Sequence, residues 1–205
     1  MTAPEAVVLD LGNVVLGWDP YGPFVGRMDR AAVDEFFADV DFAAFNHRQD
    51  AGRSWADARA DVAERFPQHV GAVDLYVEHF VEALSGPVPG MEALVRDLLA
   101  AGVRVVGLTN WSAETFHHAE LVAPAVGLME GVVVSGETGL AKPDPRIFEL
   151  TARRFGLTPA RTVFVDDSRP NVEAAARVGF DAVLFTSADR LRADLAVRGL
   201  DLPAS

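Results

Sequence analysis

Polar side chains that can do chemistry follow three of the short apolar runs in this sequence, and one more lies in a turn between runs. They are Asp10, Thr109, Asn110, Lys142, Asp166 and Asp167. If these runs are parallel strands of one open sheet, their carboxyl ends lie along one edge, where ligands bind at the switch point. We therefore expect three carboxylates, an ammonium and a hydroxyl to converge at that edge.

The expected cluster of carboxylates has an electrostatic consequence. Carboxylates that lie close together repel one another unless a cation sits among them. The chain has no Cys and no His beside these positions, so the available ligands are oxygen atoms, which favours Mg²⁺. A bound Mg²⁺ can neutralise a phosphate oxygen and hold it in line with an attacking carboxylate.

The reaction predicted for these residues is transfer of a phosphoryl group to a carboxylate. Asp10 would form an aspartyl-phosphate, which water then hydrolyses. Lys142 would add a second positive charge for the phosphate and the nucleophile. Thr109 would donate a hydrogen bond to a phosphoryl oxygen, and backbone N–H groups near Asn13 and Asn110 would add further donors.

The elements that must position these residues alternate between strands and helices. Apolar runs predict buried parallel strands at Ala6–Leu11, Val103–Thr109, Gly131–Ser135, Thr162–Asp166 and Asp181–Phe185. Cap and stop signals predict helices over Met91–Ala101, Pro145–Phe155 and Ser168–Val178. This alternation predicts an α/β fold, with a Rossmann-like three-layer core around a central parallel sheet.

The stretch from about Asp19 to Gly86 breaks the alternation, because it lacks clear strand runs and has helical patterns only. Within it, Ser54 and Asp57 resemble a capping box. We therefore predict a small inserted α-helical cap at 19–86 and a core formed by 1–18 and 87–205. The Pro and Gly residues of Pro87–Gly90 predict a short stiff linker between them.

The bulk composition limits the classes of partner. The 205 residues are 50% hydrophobic, which is enough for one good core and a small accessory domain. The net charge of −12, with no basic run to offset it, argues against binding to nucleic acid or to an anionic membrane. The lack of Cys excludes thiolate catalysis and Cys-ligated zinc. With no signal segment and no apolar run of membrane length, we expect a cytoplasmic protein of undetermined oligomeric state.

Four short segments carry the polar residues in order along the chain. They are Asp10–Val14 (DLGNV), Leu108–Asn110 (LTN), Gly139–Pro145 (GLAKPDP) and Val165–Ser168 (VDDS). In order and spacing they resemble the four motifs of the haloacid dehalogenase superfamily. The resemblance covers nearly the whole chain, because the helical stretch is similar to the cap of that superfamily's first subclass.

This resemblance implies an Mg²⁺-dependent phosphatase with Asp10 as the nucleophile, Thr109 as the phosphate binder and Lys142 as the charge-neutralising lysine. It further implies that Asp167 binds the metal directly, and that Asp166 is either a ligand or bonded through water. Asp10 and the backbone carbonyl at Gly12 would complete the metal ligands.

One position departs from the family pattern. Most phosphatases of the superfamily carry a second Asp two residues after the nucleophile as a general acid and base, whereas this chain has Gly12. General acid catalysis contributes about 10²–10⁴ in rate, so its absence indicates either an easy leaving group or an acid supplied by the cap. DLGNV also resembles a bacterial subgroup that includes α-D-glucose-1-phosphate phosphatases, whose anomeric oxygen leaves more easily than an ordinary alkoxide. The expected substrate is a small phosphorylated metabolite, with a sugar phosphate as one candidate.

Three residues outside the motifs are further candidates for substrate binding. Trp18 lies soon after the first strand, and His47 and Arg48 lie inside the cap. His47 and Arg48 could also supply the missing acid, although a solvated helix end explains them equally simply, and Trp18 could merely pack under the cap.

Two other functions fit the same residues. The first is a metal-free 2-haloacid dehalogenase that uses Asp10, because dehalogenases also lack the second Asp. The adjacent carboxylates Asp166 and Asp167 argue against it, since they would repel a carboxylate substrate. The second is a ligand-binding member of the fold with low turnover.

Overall fold

The computed structural model describes residues 3–203, in which short strands alternate with helices. The strands are β1 (Ala6–Leu9), β2 (Leu16–Trp18), β3 (Leu84–Pro87), β4 (Arg104–Thr109), β5 (Val132–Val134), β6 (Thr162–Asp166) and β7 (Asp181–Leu184). The α-helices are α1 (Arg30–Val40), α2 (Phe42–Asp50), α3 (Trp55–Arg65), α4 (Val70–Glu78), α5 (Met91–Ala100), α6 (Ala119–Val122), α7 (Ser135–Thr138), α8 (Pro145–Phe155), α9 (Arg169–Val178) and α10 (Ala188–Val197). Over the described residues, no helix has both the length and the apolarity that crossing a membrane requires.

Five of the strands form one parallel sheet in the order β5-β4-β1-β6-β7. The central strand β1 pairs with β4 on one side and β6 on the other, so that Ala6 lies opposite both Arg104 and Thr162. The connection after β1 runs to β4 on one side, whereas the connection after β6 runs to β7 on the other. The neighbouring strands β1 and β6 therefore flank the switch point of an open α/β sheet. The predicted α/β fold with a central parallel sheet is confirmed.

Alternate residues of each strand pack into two separate hydrophobic layers, because successive side chains of a strand point to opposite faces of the sheet. Val8 belongs to the layer that also contains Phe148 of α8. Val7 belongs to the other layer, which contains Leu94 of α5. All four side chains of β1 are buried, as expected for a strand covered on both faces. The core thus has three layers, with helices on each side of the sheet.

A helical insertion containing α1 to α4 lies between β2 and β3, and its interior is aromatic. The rings are those of Phe24, Phe36, Phe37, Phe42, Phe45, Trp55, Tyr76 and Phe80. Phe37 and Phe42 stack with ring centroids 4.0 Å apart. The predicted cap at Ser54 is present, since its hydroxyl accepts a hydrogen bond from the Asp57 N–H at 3.0 Å. The insertion therefore has its own packed interior.

The two chain crossings between the sheet and the insertion form a short ribbon. It includes Pro87 of the predicted linker, and the rest of that linker, Val88–Gly90, is a turn before α5. Leu84–Pro87 pairs antiparallel with Leu16–Trp18. A Cβ on Gly17 would lie 2.1 Å from Ser85 Oγ, so a larger residue there would force the Ser85 hydroxyl to rotate away. Sequence patterns missed this ribbon because it is short and its partner strand lies about 70 residues away in sequence.

Two glycines in helices, Gly136 in α7 and Gly71 in α4, should respond in opposite ways to substitution by Ala, because only Gly136 is packed closely against another segment. A Cβ on Gly136 would lie 2.5 Å from Ala113 N, whereas a Cβ on Gly71 in α4 meets nothing within 4 Å. We expect Gly136→Ala to lower the free energy of unfolding by about 1–3 kcal/mol through overpacking. Gly71→Ala should raise it by about 0.5–1 kcal/mol, because Ala is the better helix former. Urea unfolding of both variants checks this, and effects of the same sign would contradict it.

Candidate active site

The carboxyl edge of the sheet brings the sequence-predicted residues together around one cavity. Asp10 directly follows β1, Thr109 ends β4 and Asp166 ends β6, and these three strands are neighbours. The cavity has a volume of about 210 Å³. Its lining consists of Asp10, Gly12, Asn13, Trp18, Asn46, Asp50, Trp55, Phe80, Thr109, Asn110, Trp111, Ser112, Thr115, Lys142, Asp167 and Asn171.

The ammonium group of Lys142 lies at the centre of this edge and is only 2% exposed. Its Nζ lies 2.8 Å from Asp10 Oδ1 and 2.6 Å from Asp166 Oδ2. A third hydrogen bond runs to the Leu108 carbonyl at 3.0 Å. An ammonium has three donors, so all three are used, and Lys142 joins the ends of β1, β4 and β6.

Burial and charge oppose each other within this group. Burial by itself lowers the pKa of Lys142, but the carboxylates of Asp10 and Asp166 outweigh it and hold that pKa above its usual value. Burial raises the pKa of Asp10 to about 7, with Lys142 opposing the shift and Asp166 adding to it. A divalent cation beside Asp10 would favour its ionised form, which is the form that can attack an electrophile.

The two carboxyl groups after β6 differ in how fully their oxygens are used. Asp166 accepts hydrogen bonds from the Ser168 N–H at 2.8 Å and from the Asn171 amide at 3.0 and 3.1 Å, in addition to the Lys142 bond. Asp167 is exposed, and partial desolvation together with the charge of Asp166 raises its pKa. Asp167 is thus the more available ligand of the pair.

A metal ion fits the donor atoms of this edge. One carboxylate oxygen from each of Asp10, Asp166 and Asp167 lies within 4.8 Å of the others. Asp10 Oδ1 accepts from the Leu11 N–H at 2.7 Å and contacts Lys142, while within residues 3–203 its Oδ2 has no hydrogen-bond partner. Gly12 lines the same cavity. Oxygen-only donors of this kind suit hard cations such as Mg²⁺.

Thr109 and Trp18, both predicted to contact substrate, line the cavity. Thr109 is buried at the end of β4, and Asp10 follows the neighbouring strand β1. Trp18 ends β2, the first crossing to the insertion. Both side chains can therefore reach a molecule bound in the cavity.

The two asparagines predicted to help bind substrate make hydrogen bonds to other parts of the protein. The side chain of Asn110 accepts from the Lys142 N–H at 2.8 Å and donates to the Lys142 carbonyl at 2.9 Å. The N–H of Asn13 donates to the Leu16 carbonyl at 2.7 Å, and its side-chain oxygen accepts from the Trp18 N–H at 3.0 Å. The Asn13 N–H is therefore already used within the protein, but both asparagines line the cavity, and their part in substrate binding stays a prediction.

His47 and Arg48 do not line the cavity, which corrects their prediction as substrate-binding residues. Both are exposed on α2, and the Arg48 guanidinium lies 5.9 Å from the ring of Phe45. Residues three and four apart share a helix face, so Asn46 and Asp50 face the cavity together while the two residues after Asn46 point away.

Several lining residues were missed from the sequence because they belong to the insertion. Asn46, Asp50, Trp55 and Phe80 come from 19–86. The buried positions Phe42, Phe45 and Gln49 mark the inner face of α2. That periodicity was the signal available in the sequence. It identifies a buried stripe but does not distinguish the insertion's own interior from the cavity.

The chain was compared with protein families and with characterised proteins. Residues 5–179 match the model of the haloacid dehalogenase-like hydrolase family. The sesquiterpene phosphatase astK of Aspergillus oryzae is 26% identical over 191 residues, which cover 90% of this chain and 91% of that protein. A phosphoglycolate phosphatase of Pseudomonas putida is 27% identical over 187 residues, and the match spans 90% of this chain but only 62% of that enzyme.

Solved structures share the fold. The HAD family enzyme bt-2542 of Bacteroides thetaiotaomicron superimposes with a TM-score of 0.75 at 20% identity, covering 91% of this chain and 95% of that chain. The same enzyme has also been solved in complex with magnesium and inorganic phosphate, with a TM-score of 0.70 to this chain. At this level of identity, the likeness extends to the fold.

The buried ion pairs of Lys142 predict a pH-dependent loss of stability when the lysine is removed. Lys142→Met leaves Asp10 and Asp166 buried without their cation, and breaking a buried pair in this way costs about 3–5 kcal/mol. A carboxyl whose folded pKa is raised binds more protons when folded, so stability falls as pH rises from its ordinary pKa towards the raised value. We therefore expect a larger loss at pH 8 than at pH 5.

Urea unfolding at the two pH values measures this difference. Arg146→Met is the matched control, because it removes an exposed cation paired with Asp144 and should change stability little at either pH. A loss for Lys142→Met that is the same at pH 5 and pH 8 would argue that side-chain volume, not charge, stabilises this edge.

Proposed function

The chain belongs to the haloacid dehalogenase-like hydrolases, and we propose that it is an Mg²⁺-dependent phosphatase that uses Asp10 as its nucleophile. One observation carries this proposal. The carboxyl of Asp10 is held by Lys142 at 2.8 Å through Oδ1, beside a second and third carboxylate and at the wall of a cavity. Its Oδ2 is left for attack. A nucleophile held in one orientation by a buried cation is prepared for an in-line reaction.

Each residue of the edge has a proposed role in the reaction. Asp10 attacks phosphorus and forms an aspartyl-phosphate, which water hydrolyses. Lys142 holds Asp10 and neutralises charge, and the hydroxyl of Thr109 binds a phosphoryl oxygen. Asp10, Asp167 and the backbone carbonyl of Gly12 would hold Mg²⁺, with Asp166 as a ligand or bonded through water. When bound, Mg²⁺ supplies positive charge for the phosphate oxygens.

The cavity supports a small phosphorylated metabolite as the substrate, and a sugar phosphate is our first candidate. The indole rings of Trp18, Trp55 and Trp111 line a space of about 210 Å³ together with polar groups from α2. Rings of this kind pack against the apolar faces of a sugar, while side-chain polar groups bind its hydroxyls. Within residues 3–203, the buried indole N–H of Trp55 has no hydrogen-bond partner, so a substrate oxygen can satisfy it.

The helical insertion would act as the cap of this enzyme, with the core formed by 1–18 and 87–205 and the cap by 19–86. The paired strands β2 and β3 join the two. A hydrogen bond at 2.9 Å from the Trp55 N–H to Glu114 Oε1 further ties α3 to the loop after β4. These contacts support a cap that covers the cavity and contributes substrate contacts.

A 2-haloacid dehalogenase is the second candidate, and Gly12 is the observation that favours it. The cluster of Asp10, Asp166 and Asp167 within 4.8 Å opposes it, because three carboxyl groups beside the single ammonium of Lys142 would repel a carboxylate substrate. Halide release from 2-chloropropionate distinguishes the two reactions. A binding protein with low turnover would instead show a ligand-induced rise in melting temperature without product.

Hydrolysis of a panel of phosphoesters tests the proposed function directly. We expect phosphate release with Mg²⁺ and its loss with a chelator. Asp10→Asn should lower kcat/KM by more than about a thousandfold, because it removes the nucleophile. Asp29→Asn changes an exposed Asp of the insertion and serves as the control. Activity that persists both with chelator and in Asp10→Asn would overturn the proposal.

Thermal unfolding without substrate tests the metal site separately from catalysis. An ion that binds the folded state at a hundredfold excess over its Kd stabilises it by about 2.7 kcal/mol. We expect Mg²⁺ to raise the Tm of the wild-type protein and of Asp29→Asn, and to raise that of Asp167→Asn much less. Equal shifts in all three proteins would show that Mg²⁺ binds elsewhere.

A further inference from the structure

A carboxyl group from the helical insertion lines the cavity together with the acidic edge of the sheet. Asp50 is the last residue of α2, and it shares the cavity with Asp10, Lys142 and Asp167. Within residues 3–203, no cationic side chain lies within ion-pair distance of Asp50. Its side-chain hydrogen bond comes from Asn46, whose Nδ2 donates to Oδ2 at 3.1 Å. Asp50 is therefore a carboxyl in the cavity with one hydrogen-bond donor and, among the described residues, no ion-pair partner.

We propose that Asp50 is the general acid and base of this enzyme, protonating the leaving oxygen of the substrate from the insertion side of the cavity. The proposal rests on the proposed phosphatase function and adds a catalytic residue to it. It assigns the proton transfer to the insertion, whereas the nucleophile belongs to the sheet.

The other carboxyl groups at the cavity edge already have a different role in the proposed reaction. Asp10 must be ionised to attack, and Asp166 uses both its oxygens for hydrogen bonds from Lys142, Ser168 and Asn171. Asp167 belongs to the acidic cluster that would hold the metal. Gly12, two residues after the nucleophile, has no side chain. Asp50 is the carboxyl that remains for proton transfer among the described lining residues.

The surroundings of Asp50 place its titration near neutral pH. Burial raises the pKa of Asp50 to about 7, the charge of Asp10 adds to this, and Lys142 and the Asn46 amide oppose it. On the neighbouring helix α4, burial likewise raises the pKa of Tyr76, so that phenol stays neutral and contributes no charge. Asn46 donates to Oδ2, and within residues 3–203 no hydrogen bond involves Oδ1, so Oδ1 is the oxygen available to carry the transferred proton.

The two half-reactions then balance. In the first, a bond forms between an Asp10 oxygen and phosphorus and the bond from phosphorus to the leaving oxygen breaks, while the Asp50 proton passes to that oxygen and gives an alcohol. In the second, the Asp50 carboxylate accepts a proton from water as the water oxygen bonds to phosphorus. The bond from Asp10 to phosphorus breaks, inorganic phosphate forms, and Asp50 is again protonated.

Leaving-group dependence separates this role from a structural one. An alkyl phosphate needs a proton on its leaving oxygen, whereas p-nitrophenyl phosphate releases a stable phenolate without one. For Asp50→Asn we expect kcat to fall by about 10²–10⁴ on the alkyl phosphate that the wild-type protein hydrolyses fastest, and by less than about tenfold on p-nitrophenyl phosphate. KM should change little, and Asp29→Asn should match the wild type on both substrates.

The pH profile gives a second readout. A general acid must be protonated, so the wild-type kcat on the alkyl phosphate should fall as the pH rises above about 7. Asp50→Asn should lack this alkaline limb, because the amide does not titrate. An unchanged alkaline limb in the variant would assign that titration to another group and contradict the proposal.

The space at position 12 allows a rescue experiment. A Cβ on Gly12 meets nothing within 4 Å, and Gly12 lines the same cavity as Asp50. Adding Gly12→Asp to Asp50→Asn supplies a new carboxyl beside the nucleophile. We expect the kcat of this double variant on the alkyl phosphate to be at least about tenfold higher than that of Asp50→Asn. An unchanged kcat would count against an acid role for Asp50.

The outcomes distinguish this inference from the proposed function. If Asp50→Asn loses the same factor on both substrates, or loses nothing on either, Asp50 is not the acid even though the protein is a phosphatase. If the wild-type protein hydrolyses no phosphoester with Mg²⁺, the proposed function itself fails. Activity of the variant on p-nitrophenyl phosphate also shows that it is folded.

Discussion

The buried ammonium of Lys142 is the interaction on which the rest of the site depends. A lysine that is 2% exposed is stable in its charged form only if anions surround it, and buried carboxylates need a cation in turn. Lys142 meets Asp10 at 2.8 Å and Asp166 at 2.6 Å. This mutual need forces the ends of three neighbouring strands and the Lys142 loop into one arrangement. It also orients the nucleophile, so stability and chemistry share one set of contacts.

The sheet and the insertion contribute different parts of the proposed reaction. The edge of the sheet supplies charge, through Asp10 and Asp167 directly after two strands and through Lys142 on the loop before α8. The insertion supplies aromatic surface and one isolated carboxyl, Asp50, from a helix packed on an aromatic interior. A rigid edge suits a nucleophile and a metal, whose geometry must be accurate. The insertion is joined to the sheet by the two-stranded ribbon of β2 and β3, which suits it to making contacts around a bound substrate.

Much of the fold followed from local patterns in the sequence. The apolar runs and helix caps predicted each strand of the parallel sheet to within about two residues, because buried strands and helix ends have strong local signals. The site residues Asp10 and Thr109 followed from their positions at strand ends, and Lys142 followed from its place in a Pro-containing turn between two predicted elements. Strands β2 and β3 did not, since a ribbon that joins Leu16–Trp18 to Leu84–Pro87 depends on contacts between distant segments.

The sequence by itself determined which groups stand at the carboxyl ends of the strands, because an apolar run and the polar residues that follow it are local features of the chain. Only the tertiary structure decided which insertion residues face that edge. A helix presents Asn46 and Asp50 on one side and His47 and Arg48 on another, and its rotation about its axis is set by packing against distant rings. Tertiary packing likewise assigned Asn110 to holding Lys142, because a side-chain amide bonds whichever backbone the fold brings within reach.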